Sequence, residues 1–301
     1  MTEPSGVLIV NKHVGVTSHD IVGKVRRLYN TRRVGHTGTL DPDASGVLVV
    51  LIGRAAKAAE FLVSDTKRYR ATLRLGMTTD TEDASGNILA VCEKLPSADE
   101  VISACTGFLG EIEQIPPMYS ALKKDGQKLC DLARKGITVE REARKVKIFE
   151  LQCSKTSTPS DYILEVFCSS GTYIRTLCAD IGKALGCGGI MATLERLEAG
   201  GFSIENSFSV AELETMEESD RILKLIPTES LFDSLPKVCL PEFFEKLCRG
   251  GCEIYQKKIQ SSLPLGARVR LADANGTFFA IGEVREYENG SAIKSIKIFE
   301  L

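Results

Sequence analysis

Apolar and polar positions alternate in several short segments of the chain, and this alternation predicts strands. Residues 69–75 read YRATLRL and place an apolar side chain at every second position, as expected of a half-buried strand. Residues 46–52 read GVLVVLI, a continuous apolar run that predicts a buried strand. Further strands are predicted at 7–10, 144–153 and 162–169, and in short segments near the C-terminus.

Helices are predicted where apolar residues recur at every third or fourth position. Thr17 or Ser18 can cap a helix that runs to about Tyr29, because Ile21, Val25 and Leu28 fall on one face. A helix is also predicted to follow the glycine that opens GTYIRTLCADIGKALG. The other predicted helices cover residues 55–62, 98–109 and 241–250.

The order of these elements predicts an α+β fold, with a mixed sheet, flanking helices and a small β-barrel-like module at the C-terminal end. A composition change in PTESLFDSLP predicts the boundary, so that one domain covers 1–232 and the module covers 236–301. Within the first domain, residues 112–145 contain two prolines and many charges. This segment is expected to be a projecting, partly mobile insertion.

Composition excludes some classes of protein. The 301 residues are 43% hydrophobic and 26% charged, which is typical of a globular protein. No apolar run approaches the ~18 residues of a membrane span, and the N-terminus is unlike a signal peptide, so we expect a cytoplasmic protein. The ten cysteines include no CxxC pair, so reduced thiols are expected and no metal site is predicted.

Charge is distributed unevenly along the chain. The net charge is −2, yet residues 123–147 contain nine basic residues against four acidic ones. A second basic cluster lies between Lys24 and Arg33. Such clusters usually form solvated helix faces, but they also leave contacts with nucleic-acid phosphates open.

One polar loop precedes the buried strand, in the segment VGHTGTLDPDASGVLVV, residues 34–50. Pro42 restricts Asp41 to extended backbone angles, and the turn presents its side chain at the entrance to the strand. On these residues alone, Asp41 is a nucleophile, a general base, or a turn residue that accepts backbone hydrogen bonds. The pattern favours the turn residue.

Five segments in order resemble the bacterial tRNA pseudouridine-55 synthases, the TruB type of pseudouridine synthase. They are VNKHVGVTSHD, GHTGTLDPDASGVLVVLIGRAAK, KRYRATLRLGMTTDTEDASG, QIPPMYSALKKDGQKLCDLARKGI and CSSGTYIRTLCADIG. The last 65 or so residues resemble the small RNA-binding PUA domain through more diffuse motifs. The resemblance implies isomerisation of a uridine in the tRNA T loop, without a cofactor or a metal, and without a guide RNA. The sizeable insertion resembles that of the enzymes that act alone, and we expect a monomer.

The resemblance also implies a role for particular residues. Asp41 corresponds to the essential aspartate, and Arg175 is expected to pair with it through a forked contact. His36 would fill the space that the extruded base leaves, while Lys12 is expected to brace the loop. Tyr69 would stack on the uracil, and Tyr173, expected in the same strand as Arg175, would line the base pocket with Leu194. The RNA phosphates would contact the basic insertion, above all Lys123, Lys124 and Lys128.

Some observations leave alternatives open. The sequence departs from the family pattern at His13, Cys130, Ala56 and Glu195. A non-catalytic RNA-binding or RNA-folding protein on the same fold, and a relative that depends on a guide RNA, are both consistent with the RNA-binding features. A glycoside-cleaving enzyme would need a carboxylate pair, for which Asp41 and Asp43 are the candidates.

Overall fold

The strands of the protein form one large sheet, a smaller C-terminal sheet and two hairpins. A computed structural model describes residues 3–62 and 66–299. The predicted strands at 7–10, 46–52, 69–75, 144–153 and 162–169 are confirmed. In chain order the strands are β1 (Gly6–Lys12), β2 (Val34–His36), β3 (Ala44–Ile52), β4 (Lys67–Leu75), β5 (Met77–Thr79), β6 (Ile88–Val91), β7 (Gly110–Gln114), β8 (Lys123–Lys124), β9 (Gln127–Lys128), β10 (Arg144–Lys155), β11 (Asp161–Cys168), β12 (Gly189–Ala199), β13 (Phe202–Ser203), β14 (Lys237–Cys239), β15 (Ile254–Tyr255), β16 (Arg268–Ala272), β17 (Phe278–Tyr287) and β18 (Gly290–Ile298).

The helices largely follow the predicted pattern. Thr17 caps the first one, and its side chain and that of Asp20 exchange hydrogen bonds with each other's backbone N–H groups. The helix predicted at 55–62 is present as a 3₁₀ helix, Gly53–Phe61. The α-helices are α1 (Ser18–Leu28), α2 (Ala98–Thr106), α3 (Leu129–Arg134), α4 (Ile174–Ala184), α5 (Val210–Thr215), α6 (Glu218–Leu223) and α7 (Glu242–Arg249).

The central sheet is mixed, as predicted. Its main strand order is β1-β3-β12-β4-β11-β10-β7, with β2 paired to β3 and β13 to β12. The pair β3–β12 is parallel and sets Leu194 opposite Ala44, whereas the other pairs of this sheet are antiparallel. The loop that carries Asp41 therefore enters the sheet beside β12.

The strand after this loop is buried on both faces, which explains its continuous apolar run. Leu48, Val50 and Ile52 pack on one side in a cluster with α1. Val47 and Val49, which alternate with them, pack on the other side in a cluster that extends to the C-terminal module. Burial on both sides makes β3 a rigid base for the loop.

The insertion lies between two paired strands of the central sheet, β7 and β10. It contains the β8–β9 hairpin and the short helix α3. The insertion therefore begins and ends at neighbouring strands. Where β7 ends, at Gln114, the chain lies next to the start of helix α4.

The C-terminal module is a five-stranded sheet of order β14-β16-β17-β18-β15 with α7 against it. Its residues Phe278 and Phe299 contact Phe232, whose ring also meets Phe61 of the 3₁₀ helix at 5.8 Å between centroids. The two parts thus share an aromatic cluster. Residues 1–2, 63–65 and 300–301, which belong to the predicted domains, lie outside the described residues. Within the described ranges, no helix is long and apolar enough to span a membrane.

Candidate active site

The loop before β3 is held to the rest of the protein on both sides of Asp41. Ser18, at the start of α1, accepts a hydrogen bond from the N–H of Leu40 at 2.9 Å, and its hydroxyl donates to the carbonyl of Leu40 at 3.1 Å. On the other side, the carbonyl of Pro42 accepts from Nζ of Lys12 at 3.2 Å. These contacts fix the backbone that carries the Asp41 side chain.

Lys12 has the bracing role that was expected of it. The side chain is 0% exposed, and Nζ also donates to the carbonyls of His13 at 3.1 Å and Val16 at 2.9 Å. Burial lowers the pKa of Lys12, while the nearby carboxylates of Asp41 and Asp43 act in the opposite direction. The ammonium group therefore joins the first loop of the chain to the aspartate loop.

Arg175 lies beside Asp41, as expected, but in a different setting from the one predicted. Nη2 of Arg175 lies 3.1 Å from Oδ2 of Asp41, and Nη1 lies 3.6 Å from Oδ2 of Asp83. The expected forked contact with Asp41 is replaced by contacts with two carboxylates. Arg175 and Tyr173 were expected in one strand, which is wrong: Tyr173 precedes α4, and Arg175 lies in its first turn.

Two backbone carbonyls hold the buried guanidinium in place. Nη2 of Arg175 donates to the carbonyl of Tyr119 at 2.9 Å, and Nη1 donates to the carbonyl of Thr81 at 3.3 Å. The Arg175 side chain is only 6% exposed, whereas that of Asp41 is 40% exposed. A fixed cation thus lies behind a carboxylate that a substrate can reach.

The surroundings make Asp41 a stronger base than an ordinary aspartate. Burial raises the pKa of Asp41, and the charges of Asp83 and Asp43 raise it further, while Arg175 opposes the shift. A carboxylate with a raised pKa is a better proton acceptor and a better nucleophile once it is ionised. The geometry therefore suits Asp41 to either form of catalysis.

Asp41 opens onto a cavity of about 310 Å³, a volume within the usual range of small-ligand sites. Leu194 contributes to the cavity wall, and its role in a base pocket stays a prediction. Among the described residues, neither Tyr69 nor Tyr173 forms part of this wall. The wall consists of Asp41, Asp43, Ala44, Asp83, Ala84, Ser85, Met191, Ala192, Thr193 and Leu194.

Tyr69 and Tyr173 both lie within electrostatic range of Asp41, although neither lines the cavity. Tyr69 is 8% exposed on β4, paired with Arg196 of β12, and burial raises the pKa of its hydroxyl. Burial likewise raises the pKa of Tyr173, which the positive charge of Arg175 opposes. The stacking role of Tyr69 and the pocket role of Tyr173 stay predictions.

His36 ends β2, where it pairs with Val50, five residues before the aspartate. Its Nδ1 is buried, and no partner for this atom occurs in the described part of the chain. Burial lowers the pKa of His36, and the positive charge of Arg196 lowers it further. The ring is therefore kept neutral near pH 7, which suits a side chain that stacks among bases.

Two residues at the site had no role assigned from the sequence. Arg196 is 2% exposed, and it donates from Nε to the carbonyl of Val47 at 2.7 Å and from Nη2 to that of Gly38 at 3.1 Å. It thereby joins the segment that follows His36 to β3. Asp83, the second partner of Arg175, lies in the polar segment between β5 and β6. The signal that could have identified Arg196 is its position as a basic residue in a half-apolar segment, the one that forms β12.

The three lysines Lys123, Lys124 and Lys128, here called the insertion lysines, are exposed on the β8–β9 hairpin. Nζ of Lys124 donates to the carbonyl of Glu140 at 2.7 Å. A second cavity of about 230 Å³ separates the hairpin from the chain that returns to β10, and Arg141 and Arg144 are on its wall. The surface is basic, and phosphate binding by it stays a prediction.

Comparison with known proteins gives the family. The chain matches the model of the TruB family pseudouridylate synthase N-terminal domain over residues 26–174 and that of the tRNA pseudouridylate synthase B C-terminal domain over 175–233. It is 41% identical over 299 residues to the tRNA pseudouridine synthase B of Alkaliphilus oremlandii, covering 99% of this chain and 98% of the relative. It is 47% identical over 234 residues to that of Dechloromonas aromatica, covering 77% of this chain and 78% of the relative.

A solved structure agrees with this result. The crystal structure of a Cbf5-Nop10-Gar1 complex contains a chain with a TM-score of 0.74 and 26% identity, over 98% of this chain and 84% of that one. The similarity thus extends over the central sheet, the helices and the C-terminal sheet. The chain belongs to the TruB family of pseudouridylate synthases.

Proposed function

We propose that the protein converts uridine 55 in the T loop of tRNA to pseudouridine. The observation that carries this proposal is the placement of Asp41 at the cavity with the buried Arg175 behind it, 3.1 Å away, in a chain of this family. The relatives named above are tRNA pseudouridine synthases. The non-catalytic alternative does not explain why a carboxylate with a raised pKa faces an open cavity.

The reaction is an isomerisation, so it needs no redox partner and no second substrate. The C1′–N1 bond of the uridine breaks, the uracil turns, and a new bond forms between C1′ and C5. The proton on C5 leaves to water, and N1 finishes with a proton. Asp41 attacks the ribose, attacks the base, or removes a sugar proton; each route requires it to be ionised.

The neighbouring side chains would then hold the extruded base. Leu194 would support the uracil inside the cavity, and Tyr173 would line the base pocket with it. Tyr69 would stack on the base as it turns, because an aromatic face binds any orientation of the ring. His36 is neutral and lies before the aspartate loop, and it would occupy the space that the base leaves. Extrusion of the base from the T loop costs about a few kcal/mol.

The enzyme would act on the T stem-loop alone, as a monomer and without a guide RNA. Support comes from its higher identity to tRNA pseudouridine synthases, 41% against 26% for the Cbf5 chain. The insertion lysines would contact phosphates of the stem, and a PUA-like module at 236–301 would extend this contact beyond the catalytic domain at 1–232. The protein would work in the cytoplasm, where it would meet its tRNA substrate.

Tritium release tests the proposal. A T-arm transcript labelled at C5 of its uridines should release one equivalent of tritium, and mapping should place the modification at position 55. A transcript with cytidine at that position is the matched control and should release none. Tight binding without release would favour the non-catalytic RNA-binding alternative. Release from another position would refute the assigned specificity.

A further inference from the structure

A buried glutamine connects the insertion to the helix that carries Arg175. Gln114 is the last residue of β7 and is 1% exposed. Its Nε2 donates to the carbonyl of Tyr173 at 3.2 Å, and its Oε1 accepts from the N–H of Tyr173 at 3.0 Å. One side-chain amide therefore binds both backbone polar groups of a single residue.

Tyr173 is the residue immediately before α4. Tyr173 is in the extended conformation and makes no side-chain capping hydrogen bond, while its carbonyl accepts the helical N–H of Leu177 at 3.0 Å. The backbone at the start of α4 is thus fixed from outside, by Gln114. Arg175 follows two residues later, so the direction of this first turn sets the direction of its side chain.

The chain that follows Gln114 makes a second contact with the same arginine. Tyr119, five residues further along, accepts a hydrogen bond from Nη2 of Arg175 at 2.9 Å. The beginning of the insertion therefore holds both the backbone that precedes Arg175 and the guanidinium itself. RNA that binds the insertion could shift this segment. Such a shift would move the guanidinium that faces Asp41.

We propose that Gln114 is a positioning residue that directs the Arg175 guanidinium towards Asp41 and so couples the insertion to catalysis. This inference rests on the proposed function. Gln114 lies behind the backbone of Tyr173 and acts through Arg175, without contact with the substrate. Its loss should slow the chemical step and leave the affinity for RNA unchanged.

The perturbation is Gln114→Met, which keeps the length and apolar volume of the side chain and removes both hydrogen bonds. The C-terminal module offers a matched control. Gln256 is 4% exposed and clamps Leu263 in the same way, with Nε2 donating to the carbonyl at 3.0 Å and Oε1 accepting from the N–H at 2.8 Å. Gln256 also donates to the hydroxyl of Ser291 and accepts from that of Ser261, so Gln256→Met should cause at least as much local damage, away from Arg175.

The readouts are single-turnover tritium release and equilibrium binding of the T-arm transcript. Gln114→Met should lower the release rate about 10- to 100-fold, the effect expected of a displacement of about 1 Å at a catalytic group. Gln256→Met should change it less than about twofold. In an Arg175→Lys background, Gln114→Met should cost little more, because residues that act as a unit are not additive.

A second variant keeps the test decisive if Gln114→Met folds poorly. Gln114→Glu has nearly the same shape, and its protonated form supplies one donor and one acceptor, as glutamine does. Its release rate relative to the wild type should therefore rise as pH falls. An equal cost of Gln114→Met in both backgrounds, or an equal loss in Gln256→Met, would overturn the inference. A wild type that releases no tritium would instead refute the proposed function, and this inference with it.

Discussion

Arg175→Lys separates the direction of the positive charge at the site from its presence. Arginine uses two nitrogens here: Nη2 approaches Asp41 and donates to the carbonyl of Tyr119, while Nη1 approaches Asp83 and donates to the carbonyl of Thr81. A single lysine ammonium cannot occupy both positions. Its charge remains, but at least one of these hydrogen bonds cannot form.

The size of the effect follows from that missing hydrogen bond. A hydrogen bond to a charged group contributes about 1.5–3 kcal/mol. At about 1.4 kcal/mol for each factor of ten in rate, this corresponds to a decrease of roughly 10- to 150-fold. The hydrogen bond affects the rate because it aims Asp41 in the transition state, so the single-turnover rate should fall within this range. RNA affinity should be unchanged, because Arg175 is buried behind the cavity.

Arg74→Lys is the matched control for this experiment. Arg74 makes a forked contact with Asp161, at 2.9 Å from Nε and 2.7 Å from Nη2, and is not part of the cavity wall. Its replacement disturbs an arginine–carboxylate pair that joins β4 to β11 of the central sheet and does not face Asp41. A release rate of Arg175→Lys within about twofold of the wild type, or an equal loss in Arg74→Lys, would refute the positioning role.

Three further predictions concern RNA binding, the C-terminal module and pH. Alanine at the insertion lysines should flatten the slope of log K against log salt by up to ~0.7 for each phosphate that is no longer bound, and an unchanged slope would place the RNA elsewhere. Phe232→Ala should lower the free energy of unfolding in urea by about 3–5 kcal/mol, since its ring joins the two parts of the protein; a decrease below about 1 kcal/mol would contradict this packing. The release rate should fall as pH falls through the raised pKa of Asp41, because only the carboxylate is active. Asp83→Asn removes a charge that raises this pKa, so the acid limb of the pH–rate profile should move to lower pH, and a shift to higher pH would contradict the electrostatic account.

Local pattern predicted the elements whose surroundings are simple. The capping residues and apolar spacing of α1 gave its bounds, and the apolar run of β3 predicted burial on both faces. The apolar spacing over Gly53–Phe61 predicted a helix, but this spacing does not distinguish a 3₁₀ helix from an α-helix. The start of α4 was misplaced since Tyr173 has no capping side chain and is held by a residue distant in sequence.

The site depended on contacts that local pattern does not contain. The resemblance placed Asp41 and Arg175 together, but only the parallel pairing of β3 with β12 brings Leu194 beside them. Arg196 was missed because a charged side chain in a strand is ordinarily exposed, whereas here two backbone carbonyls satisfy a buried guanidinium. The residues that hold the site are thus harder to predict than those that react.

Replacement of Asp41 by asparagine tests the central claim most directly. Asp41→Asn keeps nearly the same volume and removes the charge and basicity of the carboxylate. Because burial raises the pKa of this carboxyl, its ionised form does not favour the folded state at neutral pH, and the variant should fold. The measurement is single-turnover tritium release from the T-arm transcript, with equilibrium binding in parallel. The account predicts wild-type binding with release at background level, and release at near the wild-type rate would contradict it.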